Sequence, residues 1–141
     1  MKIFNFLKIL IFLIFFNNLA YAEKNYFFEG KKLYEEKKFK DAKFKFEQDI
    51  LFNPKNEKSY MYLAKIFNNL EKSLLEENNL NTVILLNPKN DEAIYYLALI
   101  NIKKSNFSKA KELISTLENV CDKYCDQKEK LEDQLKNSLK Q

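Results

Sequence analysis

From about residue 25 onward, apolar and polar residues alternate along the chain with the spacing of amphipathic helices. Apolar side chains return every three or four positions, and Lys, Glu and Asn fill most positions between them. The chain contains one Gly and two Pro, so little interrupts a helix. The pattern predicts three first helices at about 25–37, 57–70 and 91–104, and three second helices at about 40–52, 74–86 and 107–119.

A short motif repeats along the chain. Asn-Pro-Lys-Asn at 53–56 returns at 87–90, which is 34 residues later (87 − 53). Proline cannot continue a helix and disfavours helical geometry in the residue before it, so each motif marks a junction between units. Further slots recur at the same spacing: a small residue at Gly30, Ala64 and Ala98, and a large apolar one at Phe46, Leu80 and Ile114.

This period, with proline at the junctions and a small residue in each first helix, resembles the tetratricopeptide repeat over residues 23–124. The resemblance implies an all-α fold, with three tetratricopeptide-type helix pairs in a right-handed superhelix and a C-terminal capping helix. The expected units are 23–56, 57–90 and 91–124, and the capping helix is expected at about 123–139. The helical spacing of Leu131, Leu135 and Leu139 supports that last helix.

Two positions depart from the repeat. Cys121-Asp122 stands where the other units have Asn-Pro, which indicates that the array ends there. Glu76 occupies a slot that holds Ala in the first and third units. Because an unpaired buried carboxylate is costly, we expect a splayed middle pair, a side chain that reaches the edge, or Leu75 packing in its place. In each case the middle unit should be the least regular.

Residues 1–22 have the composition of a cleavable export signal. Lys2 and Lys8 give the segment a positive start before the apolar run at 9–16, and Ala-Tyr-Ala at 20–22 fits a small-x-small cleavage site. The run is far shorter than the roughly 20 residues that span a bilayer, so an uncleaved anchor is the weaker alternative. We therefore expect cleavage after Ala22, a periplasmic or secreted domain of residues 23–141, and no stable membrane insertion.

Composition narrows the possible chemistry. The sequence contains no His and no Arg, so it lacks the usual general base, the commonest metal ligand and the side chain favoured for bidentate phosphate recognition. The formal charge of +4 falls to about +2 without the two lysines of the signal (4 − 2). We predict a protein that is not an enzyme, binds no nucleic acid, and needs no cofactor or metal.

Cys121 and Cys125 are the only cysteines. In an exported protein two thiols so close in sequence are expected to pair, here across the turn before the capping helix. Closing so small a loop contributes about 2 kcal/mol in the chain-entropy description. A metal site would need further ligands, and the spacing differs from the C-x-x-C of thiol oxidoreductases, so these alternatives are weaker.

The resemblance also implies where a partner binds, because the concave face of such arrays is lined mainly by the first helices. The implied protein-binding residues are Phe27, Lys31 and Tyr34, then Met61, Lys65 and Asn68, then Tyr95, Leu99 and Ile102. Apolar anchors beside Lys and Asn suit an extended peptide or a partner helix. Aromatic and aliphatic side chains at helical spacing also pack between units or under a cap, and this alternative stays open for Phe27, Tyr95 and Leu99.

The predicted function is therefore a non-catalytic interaction module of the bacterial cell envelope that binds a peptide or partner protein in the concave groove. The alternative is a structural subunit of an envelope assembly, joined through the convex face or the capping helix.

Overall fold

The computed structural model of the protein describes residues 25–140, so the predicted signal peptide lies outside the described residues. The described part of the chain forms seven helices and no strand. They are α1 (Tyr26–Glu35), α2 (Phe39–Phe52), α3 (Glu57–Asn69), α4 (Ser73–Leu86), α5 (Asp91–Lys103), α6 (Phe107–Val120) and α7 (Gln127–Ser138). The predicted all-α organisation of three helix pairs and a capping helix is confirmed.

The helices α1 to α6 begin and end within two residues of the predicted bounds. Each packs against the next along the chain, and α7 packs on both α5 and α6. None of the helices between residues 25 and 140 has the length and apolar character needed to cross a bilayer.

Asparagine side chains start the first helix of every pair. The Oδ1 atom of Asn25 accepts a hydrogen bond from the Phe28 amide at 3.4 Å, and that of Asn90 accepts one from the Ala93 amide at 3.0 Å. Asn56 does the same with the Lys58 amide at 3.3 Å. The last residue of the repeated Asn-Pro-Lys-Asn motif is therefore a helix N-cap. Its side chain accepts a hydrogen bond from a first-turn amide that has no partner within the helix.

The turns inside the three pairs share one backbone geometry. Lys37, Glu71 and Ser105 have φ values of 60°, 55° and 59° and lie 34 residues apart. In each turn the residue after the positive-φ position donates its backbone amide to a carbonyl in the last turn of the preceding helix. In the first pair, the Lys38 amide donates to the Leu33 carbonyl at 2.9 Å. This is the Schellman arrangement, formed here without glycine. The 34-residue period is thus also a period of the backbone.

The single glycine marks the closest approach within the first pair. A Cβ atom added to Gly30 would lie 2.9 Å from Cε1 of the Phe46 ring, which is itself fully buried. The corresponding slots pair Ala64 with Leu80 in the second unit. A large aromatic side chain on α2 therefore requires the smallest residue on α1, because a close-packed core leaves no room for both.

Gly30→Ala should lower the free energy of unfolding by up to about 2 kcal/mol, because overpacking costs about 1–3 kcal/mol and replacing glycine within a helix regains only about 1 kcal/mol. Combining it with Phe46→Leu recreates the pairing of Ala64 with Leu80. Urea denaturation of both single variants and the double variant should show the double variant losing less than the sum of the two. If the losses of the two single variants add up in the double variant, Gly30 and Phe46 do not limit each other's size.

The expectation of an irregular middle unit is wrong. Helices α3 and α4 have 13 and 14 residues, as α5 and α6 do. Glu76 stays in its slot with 6% of its surface exposed, whereas Leu75 is 40% exposed, so neither an escape to the edge nor a register shift occurs. The carboxylate is tolerated because the side-chain amide of Asn68 donates a hydrogen bond to it at 2.9 Å.

The capping helix begins later than expected. Residues 121–126 form a turn, hereafter the junction turn, and α7 starts at Gln127 rather than near 123. Leu131 and Leu135 are buried against the core of the second and third pairs, as their spacing predicts. Leu139 is 52% exposed, so the apolar face of the cap ends one turn earlier than the sequence suggested.

Candidate functional site

A cavity opens where the first helices of all three pairs face one another. Its volume is about 270 Å³. We call it the inner cavity, and its lining comes from α1, α3, α4 and α5: Tyr34, Met61, Ala64, Lys65, Asn68, Asn69, Glu76, Leu80, Glu92 and Tyr96. The side chains mix aromatic and aliphatic surface with amides and charges, a composition typical of sites that take up part of a ligand.

A shallower recess continues from the inner cavity along α3. It extends from Glu57 and Lys58, at the start of that helix, to the junction turn. The recess and the inner cavity share Met61, Lys65 and Glu92 in their walls. Together they form one channel along α3, which we call the groove.

A polar network crosses the groove where the two parts meet. The Lys65 ammonium lies 2.8 Å from Oε1 of Glu92, and the Tyr124 hydroxyl donates to the same oxygen at 2.9 Å. Burial and the bond to Glu92 both raise the pKa of Tyr124, so the hydroxyl keeps its proton. Lys65 also lies 5.4 Å from the centroid of the Tyr62 ring. The lysine charge is thereby neutralised within the wall.

Glu76 is the other carboxylate of the inner cavity. Burial raises its pKa, and the hydrogen bond from Asn68 and the charge of Lys103 act in the opposite direction without cancelling that rise. Among the described residues no lysine lies within 4.0 Å of its oxygens. Glu76 therefore brings negative charge into the cavity without a direct cationic partner.

The structure brings together about half of the implied binding residues. Tyr34, Met61, Lys65 and Asn68 all line the inner cavity. Lys31 does not; its ammonium lies 3.8 Å from Glu35 on the same helix.

Phe27 belongs to an aromatic cluster at the first pair instead of the groove wall. Its ring centroid lies 6.0 Å from that of Phe46 and 5.9 Å from that of Tyr62. Burial among aromatic rings, the alternative left open for Phe27, is what the structure shows.

The implied residues of the third unit do not line the inner cavity. The Tyr95 ring centroid lies 5.2 Å from that of Tyr124, Leu99 packs on the core that contains the cap, and Ile102 is buried. The physical reason is that the chain after α6 packs back on α5: Tyr124 of the junction turn lies against Tyr95, and α7 contacts the same helix.

Sequence reasoning missed Tyr96 and Glu76 as groove residues. Tyr96 lies 34 residues after Tyr62, which also faces the groove, so the repeat itself contained the signal. The repeat pattern marks Glu76 as a departure from alanine but does not indicate that it lies in the wall of the groove.

The junction turn is bound to the start of α5 through one carboxylate. Oδ2 of Asp91 accepts hydrogen bonds from three successive backbone amides, at 2.8 Å from Asp122, 2.6 Å from Lys123 and 2.9 Å from Tyr124. Burial acts to raise the pKa of Asp91, but these amides and that of Glu92 together hold it below its ordinary value. The third pair, the groove wall at Tyr124 and the cap are therefore linked at one point.

The two cysteines lie next to each other at the ends of the junction turn. The Cα atoms of Cys121 and Cys125 are 5.1 Å apart, within the range that a disulfide requires. Between residues 25 and 140 there is no cluster of three or more His, Cys, Asp or Glu side chains that could hold a metal ion.

Solved tetratricopeptide domains share this fold. The TPR domain of P58(IPK) superposes with a TM-score of 0.73 and 20% identity. The match covers 83% of this chain but only 32% of the P58(IPK) chain. The TPR2B domain of yeast Sti1, solved in complex with pHsp70, gives 0.71, 15% identity, and coverage of 81% of this chain and 95% of that one. The Yersinia enterocolitica type III secretion chaperone SycD, solved in complex with a peptide of the translocator YopD, superposes with a TM-score of 0.71 and 10% identity. The match covers 84% of this chain and 93% of that one.

The described part of the chain thus has a tetratricopeptide-type fold. At these identities the likeness establishes the fold alone. No protein-family model matches the sequence, and the comparison with curated proteins gives no match.

Proposed function

We propose that this chain is a non-catalytic interaction module that holds an extended peptide, or a segment of a partner protein, in the groove. The observation that supports this most strongly is the inner cavity, where side chains from all three pairs converge. Apolar surface from Met61, Tyr34 and Tyr96 beside the amides of Asn68 and Asn69 combines burial with groups that fix register. Two solved structures of the same fold, those of Sti1 and SycD, contain a bound partner or peptide.

We also propose that the module acts in the bacterial cell envelope after removal of residues 1–22. The sequence of an export signal supports this, and so does the closeness of Cys121 and Cys125, which an oxidising compartment would join. In that state the disulfide closes the junction turn. It holds Tyr124 and the cap in the positions that the hydrogen bonds from the backbone amides to Asp91 also favour.

One observation favours the second candidate, a structural subunit that assembles through its second helices. Leu51 and Leu85 occupy equivalent positions on α2 and α4 and are 78% and 81% exposed. Both lie outside the groove. Exposed large apolar side chains at a repeated position are a feature of surfaces that another protein can cover.

A matched pair of tryptophan variants separates the two candidates. Asn69 is exposed and lines the inner cavity, so Asn69→Trp fills the cavity with little cost to the fold. Leu85→Trp places the same side chain on α4, outside the groove. If the groove is the binding site, Asn69→Trp should reduce partner recovery from envelope extracts about tenfold, equivalent to about 1.4 kcal/mol, while Leu85→Trp leaves it unchanged.

Recovery is measured by quantitative mass spectrometry on affinity-purified protein, with circular dichroism melting as the control for folding. Loss of partners in Leu85→Trp alone would replace the groove with the second-helix surface as the interaction site.

A further inference from the structure

Glu76 lowers the stability of the fold, because it places a carboxylate in a buried slot. The equivalent side chains of the first and third units, Ala42 and Ala110, are fully buried. Glu76 is 6% exposed, so its carboxylate gives up part of its hydration, and it accepts one hydrogen bond, from Asn68 at 2.9 Å. Alanine would serve the packing of α3 and α4 without that cost, so packing does not explain the carboxylate.

Glu76 is the charged residue of the inner-cavity lining that makes no ion pair, although the charge of Lys103 acts on it from outside the lining. Lys65 and Glu92 both line it, but they pair with each other at 2.8 Å. The remaining charge in the lining is that of Glu76, and it faces a space that a ligand can enter. A cationic group placed there would regain for the carboxylate the electrostatic stabilisation that burial removes.

The surroundings of Glu76 also indicate the shape of that cation. Met61 and Leu80 offer aliphatic surface, and Tyr34 and Tyr96 offer aromatic rings. An apolar stem with a charged end matches such a lining, because the stem is buried on the apolar surface while the charge meets the carboxylate. Among protein side chains, Lys and Arg have this form.

We propose that the groove selects protein segments that carry a Lys or Arg residue, and that this side chain enters the inner cavity with its charge against Glu76. The inference rests on the proposed function, because it names the chemistry of the segment that the same groove would hold.

The experiment uses a library of random peptides displayed on phage, selected against residues 23–141 and against three variants. Glu76→Gln removes the charge and keeps the shape. Glu77→Gln is the matched control, because Glu77 pairs with Lys104 outside the groove. Asn69→Trp blocks the cavity. Peptides retained by the unaltered protein are then synthesised, and their dissociation constants are measured by fluorescence anisotropy.

We expect the retained peptides to be enriched in Lys or Arg, to bind about tenfold more weakly to Glu76→Gln, and to bind Glu77→Gln unchanged. Groove-dependent peptides without that enrichment, or with equal affinity for Glu76→Gln, would overturn the inference and leave the proposed function standing. Retention that survives Asn69→Trp would overturn both.

Thermal stability gives a second, independent readout. Because burial raises the pKa of Glu76, its ionised form disfavours the folded state at pH 7, and the neutral amide removes that penalty. Glu76→Gln should therefore melt at a higher temperature than the unaltered protein while it binds more weakly. A lower melting temperature would show that the carboxylate serves the fold, and would overturn the inference.

Discussion

Replacing Asp91 by Ala should lower the free energy of unfolding by about 3 kcal/mol and release the junction turn from α5. One carboxylate oxygen accepts three backbone amides, from Asp122, Lys123 and Tyr124, and hydrogen bonds to a charged group contribute about 1.5–3 kcal/mol each when they cannot be replaced by water. Part of the turn is exposed, so its amides regain water and the total is smaller than the sum. Urea denaturation measures the loss.

Asp122→Ala is the control for Asp91→Ala. It removes a carboxylate from the same turn, but the hydrogen bonds that Asp122 makes in this structure come from its backbone. Hydrogen exchange should show faster exchange along α7 in Asp91→Ala and not in Asp122→Ala. Unchanged protection of α7 in both variants would mean that the hydrophobic contacts of Leu131 and Leu135 hold the cap without the carboxylate.

The lowered pKa of Asp91 sets the sign of its pH dependence. The stabilisation is fully present above the unfolded-state pKa of about 3.9, and it is lost as pH falls through the lower pKa of the folded state. The difference in stability between the unaltered protein and Asp91→Ala should therefore stay constant near neutral pH and shrink under strongly acidic conditions.

Asp49→Val should cost a similar amount, about 3 kcal/mol, at the first junction between units. Asp49 is 3% exposed and accepts hydrogen bonds from Asn53 at 3.1 Å, from Asn56 at 2.6 Å and from the buried hydroxyl of Ser59. Valine leaves that hydroxyl buried without an acceptor, which is more costly than removing both partners.

The second junction between units shows which additional substitution should compensate for Asp49→Val. Val83 and Ala93 occupy the positions equivalent to Asp49 and Ser59, and both are fully buried. The double variant Asp49→Val with Ser59→Ala copies that apolar pair and should recover most of the loss in urea denaturation. A double variant no more stable than Asp49→Val would mean that the asparagines, rather than Ser59, determine the cost.

The repeat could be predicted from the sequence because its signals are local. Asn-Pro at each junction, a small residue in each first helix and a large one in each second helix are visible at a fixed spacing. The resemblance to the tetratricopeptide repeat implied Tyr34, Met61, Lys65 and Asn68 as groove residues, and these four line the inner cavity.

The errors come from contacts between distant parts of the chain. Tyr124 of the junction turn lies against Tyr95 and α7 packs on α5, and no repeat unit contains information about the position of chain that follows the array. Glu76 accepts a hydrogen bond from Asn68 across the inner turn, a contact that the repeat pattern does not contain. Before α7 begins, backbone amides of the junction turn donate to Asp91, and because every residue but proline has such an amide, the sequence pattern does not identify this contact.

Site-specific photo-crosslinking in living cells would test the groove as the binding site. A photoreactive phenylalanine derivative replaces Lys58, in the open recess of the groove, or Leu85 on α4, both of which are exposed. We predict a discrete crosslinked product from position 58 that Glu76→Gln weakens, and none from position 85. A product from position 85 alone would contradict the groove as the binding site and assign the interaction to the second helices.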